Sequence, residues 1–403
     1  MLTIGLIKEG KVPADNRVAF TPRQCQWLLA QYPDLKILVQ SSPTRCFSDR
    51  EYKQAGVAVQ DDIGEADILM GIKEVPKEDL IKNKTYFFFS HTKKKQPANQ
   101  ALFQEILKQK VTLIDYECLT HEDGQRILGF GFFAGVVGAH NGIVAYGKRT
   151  GAFELGRVYQ SKHFKALIHT YFGLRLPPIK VAVTGTGRVS SGVLEIMNLM
   201  GIKEMEPEEY VRKKYAYPVY THLRGQDLYS HKLTGGYSRE SFHLQPGEYE
   251  CLFQPYLSET DVLMNGIYWS ADIPPLFTME DMREADFRVT TIADITNDLR
   301  GSIPCNIGDS TMEEPVYGVD KRTGRKTAPY LPGSVDVMAV GNLPNELPRD
   351  ASQYFGEQFI KFVLPELWRA DSDLLERATM VKKGRLTEAF RYLEDYGAGE
   401  GTN

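Results

Sequence analysis

Short apolar runs recur along the chain and alternate with stretches of helical spacing. LTIGLI (2–7), LKILVQ (35–40), DILMGI (67–72), YFFFS (86–90) and VTLID (111–115) have the length and β-rich composition of buried strands. Between the first two, TPRQCQWLLAQY predicts a helix. Thr21 is its N-cap, Pro22 takes the first helical position and Gln24 completes a capping box. ANQALFQEILKQ (98–109) places apolar residues at helical spacing between the last two strands. Strand and helix in alternation predict a parallel α/β sheet.

The pattern continues past a glycine-rich but proline-free segment, FGFFAGVVGAHNGIVAYGKRTG (130–151), read as a strand end and then a long helix. IKVAVTGTGRVSSGVLEIMNLMG (179–201) reads as strand, glycine turn and helix, and DVLMNGIYW (261–269) and RVTTIADIT (288–296) as further buried strands. Residues 211–250 are rich in Tyr, Lys, Arg, His and Gly with little periodicity, so they are taken as an insertion or long excursion. From about 335 the chain reads as a strand, a proline-punctuated loop and an amphipathic helix. One last helix is expected over roughly 373–395, followed by a frayed GAGEGTN.

Length changes this picture to two domains, since 403 residues exceed one ordinary core. A net charge of −4 supplies no basic field for nucleic acid or an anionic membrane. No apolar run approaches the ~18–20 residues that span a bilayer, and the N-terminus reads as a strand rather than a signal peptide. Five scattered cysteines, without CxxC spacing, argue against a disulfide frame or a zinc site and favour a reducing cytoplasm. No metal is expected. A small-molecule substrate is, and an oligomer is left open.

Gly185-Thr186-Gly187 follows an apolar strand and opens a helix, the context of a dinucleotide fingerprint. The first glycine permits the tight turn, and the second lets backbone amides approach a pyrophosphate. Ser190 stands where a third glycine is usual, with Gly192 two residues on. The acid expected ~20 residues further is Glu204 or Glu206, with Glu206 preferred; Arg188, Arg212 and Lys213 are candidates for a 2′-phosphate instead. NAD and NADP therefore both stay open.

Two of the predicted strands end in a basic side chain, Lys73 after DILMGI and His91 after YFFFS. C-terminal strand ends of a parallel sheet share one edge, where ligands bind. A solvated lysine and a turn-capping histidine are the plain alternatives for each alone; their coincidence favours a shared site. Desolvation beside buried residues would lower the Lys73 pKa toward useful acid–base range, and histidine titrates near neutrality. Arg17 has the planar fork suited to a substrate carboxylate, or else pairs with Asp15.

KEGKVPADNRVAFTP is similar to the N-terminal segment of the alanine dehydrogenase and transhydrogenase superfamily. GIKEVP, FGFFAGVVG, TGTGRVSSG, LMNGIYW, IADITNDLRGSI and NLPNELPRDAS, in order along nearly the whole chain, resemble saccharopine dehydrogenase (lysine-forming) and the lysine–ketoglutarate reductase domain of bifunctional aminoadipic semialdehyde synthases. The resemblance implies two doubly wound, Rossmann-like α/β domains with a cleft between them: a discontinuous substrate domain (1–135 plus about 345–403) and a dinucleotide-binding domain (136–344). It implies an oxidoreductase that joins lysine and 2-oxoglutarate through an imine to give saccharopine, or the reverse. Lys73 and His91 would be its acid–base pair and Glu74 a tuning carboxylate. Arg17, Glu117 and Arg126 would lie at the substrate, though the last two also suit an ordinary salt bridge. Gly185, Gly187, Arg188, Asn265, Asp294, Asp298 and Asn342 would lie at the cofactor. The chain ends near 403, so the second, glutamate-forming domain of the bifunctional enzymes is expected to be absent. The Arg17, Lys73 and His91 pattern also suits an alanine dehydrogenase-like enzyme, and the dinucleotide turn also suits a transhydrogenase-like module with no substrate of its own.

Overall fold

The computed structural model describes residues 1–399, and the rest of the tail expected to fray lies outside the described residues. The chain forms two units. One comprises Met1–Phe130 and the chain from Pro348 onward, and the other Gly131–Leu347.

The first unit is built on β1 (Leu2–Leu6), β2 (Leu35–Gln40), β3 (Ala58–Gln60), β4 (Ile68–Met70), β5 (Thr85–Phe88) and β6 (Thr112–Asp115), with α1 (Pro22–Gln31), α2 (Asp49–Gln54) and α3 (Gln100–Lys108) as the main connecting helices. These strands are parallel in the order β3-β2-β1-β4-β5-β6, the doubly wound arrangement whose order reverses between β1 and β4. The α1 capping box forms as its residue types require, with Thr21 accepting from the Gln24 amide and Gln24 accepting from the Thr21 amide. The helix Pro348–Phe362 returns to this sheet and buries Phe355 and Phe359 among the rings of Phe20, Phe87 and Tyr116, with centroids 5.0–5.7 Å apart for Phe20–Phe359, Phe87–Phe359 and Tyr116–Phe355. This aromatic packing ties the C-terminal segment to the first unit.

The helix expected over 373–395 does not form as one piece. A short helix, Asp373–Ala378, leads into a hairpin of Thr379–Lys382 and Arg385–Leu386, and only Glu394–Ala398 returns to α-helix. Lys383 (φ 49°) and Gly384 (φ 77°) are both left-handed, a two-residue turn that no helix accommodates. Met380 and Val381 are fully buried as their strand pairs antiparallel with β6. Tertiary pairing at the open sheet edge overrides the helical spacing.

The second unit opens with α4 (Gly131–Thr150) and α5 (Phe164–His169) and holds β7 (Lys180–Thr184), α6 (Arg188–Leu199), β8 (Lys203–Glu204), α7 (Pro207–Arg212), β9 (Val219–Leu223), the hairpin β10 (Tyr229–His231) and β11 (Tyr249–Cys251), β12 (Val262–Asn265), β13 (Thr291–Asp294), β14 (Val316–Asp320), β15 (Lys326–Thr327) and β16 (Ser334–Met338). Its large sheet runs β8-β9-β7-β12-β13-β16-β14-β15, parallel except for β14, which is antiparallel to both its neighbours. Both units are thus Rossmann-like α/β folds.

The region read as an excursion contains an inner strand. Val219–Leu223 lies directly beside β7 and pushes β8 to the edge. VYTHL is β-branched and aromatic, but it is only five residues long between polar flanks, so it shows no periodicity of its own. The chain from Arg224 to Leu252, with β10, β11 and the helix Arg239–Leu244, is the true excursion.

Candidate active site

In the first unit the reversal point between β1 and β4 gathers the candidate residues. Just past β1 lies Glu9, whose carboxylate accepts the Ile72 amide (2.6 Å) and the Lys73 amide (2.9 Å) where the chain leaves β4. Glu74 follows Lys73. Its Oε1 is 2.6 Å from His91 Nδ1, and its Oε2 takes the Lys11 ammonium at 2.9 Å. The Lys73 and His91 strand ends are therefore joined through one carboxylate.

His91 holds φ at 49°, an uncommon conformation for a residue with a Cβ. Its ring stacks on Phe89 with centroids 6.2 Å apart. Burial disfavours the charged Glu74 carboxylate, but the His91 hydrogen bond and charge and the Lys11 hydrogen bond outweigh it and hold the Glu74 pKa at about 2. Glu74 is thus an acceptor only, so neutral His91 carries its proton on Nδ1 and leaves Nε2 as the basic lone pair. Burial lowers the Lys73 pKa to about 8, helped by the nearby Arg17 and Lys11 charges and opposed by Glu74 and Asp15. Glu9 moves the other way, raised to about 8 by burial and by Asp15, against its two backbone hydrogen bonds and Arg17.

Arg17 is buried. Its Nε and Nη2 face Asp15 at 2.9 and 2.5 Å, and its guanidinium lies 4.1 Å from the Phe130 ring centre. Asp15 thus takes one edge of the fork, the alternative to a substrate carboxylate that the sequence left open. Glu117 and Arg126 do pair with each other, at 2.6 Å. Asp115 at the end of β6 accepts the Ser90 amide (2.9 Å) and the Glu117 amide (2.7 Å), locking the β5 and β6 ends together.

In the second unit Gly185 (φ 99°) makes the turn after β7. A Cβ there would lie 2.7 Å from the Gly266 carbonyl oxygen. Gly187 is the N-cap of α6, with no side-chain cap and nothing within 4 Å of where its Cβ would be. An open approach to the first-turn amides is the cradle a pyrophosphate needs, so these residues fit a dinucleotide. Arg188 is the first residue of α6. Ser190 Oγ donates to the Thr184 carbonyl (2.9 Å), while Gly192 is the residue that allows α6 to press on α4. Ser190 thus keeps α6 close to β7, and Gly192 keeps it close to α4.

Asn265 and Asp294 end adjacent strands and meet directly. Asn265 Nδ2 donates to Asp294 Oδ1 (2.8 Å) and to Ser302 Oγ (2.9 Å), and Asn306 Nδ2 donates to Asp294 Oδ2 (2.8 Å). Burial raises the Asp294 pKa to about 6 against those hydrogen bonds. Asp298 and Asn342 lie a few residues beyond the ends of β13 and β16. Glu206 stands apart from all of these, exposed beyond the edge strand β8.

Sequence reasoning passed over Glu9, Lys11 and Asp115. Their signal was position alone: Glu9 and Lys11 follow the first strand and Asp115 ends the last parallel one, at the same sheet edge as Lys73 and His91.

Residues 5–137 match the family "Alanine dehydrogenase/PNT, N-terminal domain". The chain is 31% identical over 415 residues to the mitochondrial alpha-aminoadipic semialdehyde synthase of Rattus norvegicus, covering 89% of this chain and 44% of that protein. It is 26% identical over 383 residues to saccharopine dehydrogenase [NAD(+), L-lysine-forming] of Candida glabrata, covering 89% and 90% of the two chains. The chain thus spans less than half the length of the curated synthases it matches. A solved L-alanine dehydrogenase has the same fold, with a TM-score of 0.68 at 17% identity, covering 98% of this chain and 100% of the other.

Proposed function

We propose that this chain, which is similar over 89% of its length both to aminoadipic semialdehyde synthase and to saccharopine dehydrogenase (L-lysine-forming) and matches the alanine dehydrogenase/PNT N-terminal domain over residues 5–137, is an oxidoreductase acting on the CH–NH bond of saccharopine. The reaction couples lysine and 2-oxoglutarate to saccharopine, in either direction. The observation that carries this reading is the Lys73-Glu74-His91 cluster at the sheet reversal point of the first unit. The glycine turn of Gly185, Gly187 and Arg188 would hold a nicotinamide dinucleotide, which would supply or accept the hydride, with Asn265 and Asp294 at strand ends and Asp298 and Asn342 a few residues past them on its nicotinamide side.

The chain's own residues manage protons. A lysine amine must be neutral to attack the oxo carbon, the carbinolamine must lose water, and the secondary amine must be deprotonated before oxidation. Lys73, poised near neutrality, and His91, with Nε2 basic, take and return those protons. Glu74 keeps His91 in that tautomer. Arg17 and Arg126 offer positive charge to substrate carboxylates, and Glu117 offers negative charge to the substrate ammonium. Five unpaired cysteines fit a cytoplasmic home, and no helix among the described residues is long and apolar enough to cross a membrane.

Nicotinamide absorbance followed with lysine plus 2-oxoglutarate, and with saccharopine, tests the reading. Turnover of either is expected. Turnover of pyruvate plus ammonia alone would replace it with an alanine dehydrogenase-like activity. Cofactor binding without turnover of any of these would leave a transhydrogenase-like module. A pH profile adds a second check. The folded pKa of Lys73 lies below that of a free lysine, so its neutral form fills as pH rises through about 8. In the saccharopine-oxidising direction kcat/KM is expected to climb toward that pH and then level. In Lys73→Met that limb is expected to vanish.

A further inference from the structure

Nothing holds Lys73 by its tip. Its ammonium makes no hydrogen bond or ion pair among the described residues, whereas the His91 ring is fixed by Glu74. Where the amine stands is therefore decided by the Lys73 backbone. β1 and β4 pair in parallel as far as Leu6 and Met70, and the Ile7 amide still donates to the Met70 carbonyl (3.0 Å). Beyond that point the two strands part, while the Ile72 carbonyl accepts the Phe89 amide (3.0 Å) on the β5 side. The Ile72 and Lys73 amides are left without a ladder carbonyl. Consecutive amides of an extended strand point to opposite sides, yet these two turn to one carboxylate, Glu9 Oε1 at 2.6 Å and Oε2 at 2.9 Å. Successive amides converging on one anion form a concave nest, and the chain bends at Ile72 and Lys73. Gly71 leaves room for this, since a Cβ there would lie 2.8 Å from Ile7 Cδ1 and 3.4 Å from Glu9 Oε1.

Both oxygens of an ionised carboxylate accept and neither donates, so glutamate suits a clamp on two amides. A protonated Glu9 has one strong acceptor for the pair, and its grip on the Ile72–Lys73 peptide loosens. Burial and Asp15 raise the Glu9 pKa to about 8, against the two amides and Arg17. Lys73 loses its own proton over the same range. The other groups that face Glu9 are Asp15 and Arg17 on the loop after β1 and Tyr116 past the end of β6. The Tyr116 hydroxyl is buried without a hydrogen-bond partner among the described residues, and burial keeps it protonated.

We propose that Glu9 is a positioning residue for the acid–base couple: its carboxylate, gripping the Ile72 and Lys73 amides together, sets where the Lys73 amine stands, and it must lose its proton to do so fully. Glu9 acts through Lys73 and not on the substrate. Its catalytic meaning rests on the oxidoreductase reading, while the clamp itself does not.

Two measurements on the full chain test this. The first is the pH dependence of kcat/KM for saccharopine oxidation in wild type and Glu9→Gln. Glutamine keeps the length of the side chain but turns a donor toward one of the two amides. kcat is expected to fall about 10–100-fold, the effect of misplacing a catalytic group, while KM and dinucleotide affinity stay within about threefold. The rising limb below pH 8 is expected to be one proton steeper in wild type than in Glu9→Gln. Equal steepness in both overturns the proposal, because a glutamate with only a structural role adds no proton to the limb. The second measurement is ¹H–¹⁵N spectroscopy of isoleucine-labelled Lys73→Met, in which the lysine titration is removed. The Ile72 amide is expected to shift through an inflection near pH 8, and to lose it when Glu9→Gln is added. An Ile72 amide without that inflection in Lys73→Met overturns the clamp, even where the glutamine variant does not fold. Absence of turnover with every substrate overturns the oxidoreductase reading and with it the catalytic part of Glu9, and the Ile72 titration still decides whether Glu9 governs this backbone.

Discussion

Lys73→Met is expected to lower kcat/KM by roughly 10²–10⁴-fold, the range lost when a positioned acid–base group is removed, while dinucleotide affinity stays within about threefold. His91→Gln should fall in the same range. Methionine keeps the bulk of the buried stem but cannot carry a proton, so the loss reports chemistry rather than packing. Glutamine can still donate toward Glu74, but it has no basic nitrogen at the Nε2 position. The two substitutions should not multiply, because Glu74 joins both strand ends and the pair acts as a unit. Initial-rate kinetics on both single variants and the double variant provide the check. Wild-type rates in Lys73→Met would reduce the cluster to a structural salt bridge.

The second large effect lies where α4 crosses α6. A Cβ on Gly135 would fall inside the Val189 carbonyl group and 2.9 Å from the Val193 amide. One on Gly192 would fall inside the Phe132 carbonyl and 2.8 Å from the Val136 amide. The two glycines let the helix backbones touch, and α6 carries the glycine turn at its start. Gly135→Val is therefore expected to destabilise the second unit by about 3 kcal/mol or more, the upper range of overpacking. That corresponds to a Tm lower by about 6–12 °C. Dinucleotide affinity should fall with it, as the helix N-terminus shifts. Gly135→Ala is the sharper diagnostic, since alanine in a free helix stabilises by ~1 kcal/mol over glycine. Here the sign should reverse. Thermal unfolding that shows either variant unchanged would refute the close crossing.

Much of this was legible in the residues. The strands DILMGI, YFFFS and KVAVT, the Thr21 capping box and the long glycine-rich helix each have a local cause in propensity, capping or turn chemistry. The placement of Lys73 and His91 at equivalent strand ends followed from periodicity alone. Illegible parts share a different cause. Thr379–Lys382 is a strand only because β6 offers an unpaired edge. VYTHL is an inner strand only because β7 accepts it in register. Glu206 satisfied the expected spacing from the glycine turn, yet spacing counts residues and not strands. β9 lies between β7 and β8, so Glu206, just past β8, is one strand removed from the turn.

The sequence by itself determined the alternation of elements, the glycine turn and which side chains could do acid–base chemistry, because those depend on neighbours within a few residues. Only the tertiary structure decided which carboxylate holds His91, that Asp15 takes one edge of the Arg17 fork, that burial brings Lys73 and Glu9 to pKa values near 8, and that β9 rather than β8 lies beside the strand that leads into the glycine turn. Strand order and desolvation are set by contacts between residues far apart in the chain, and no local pattern encodes them.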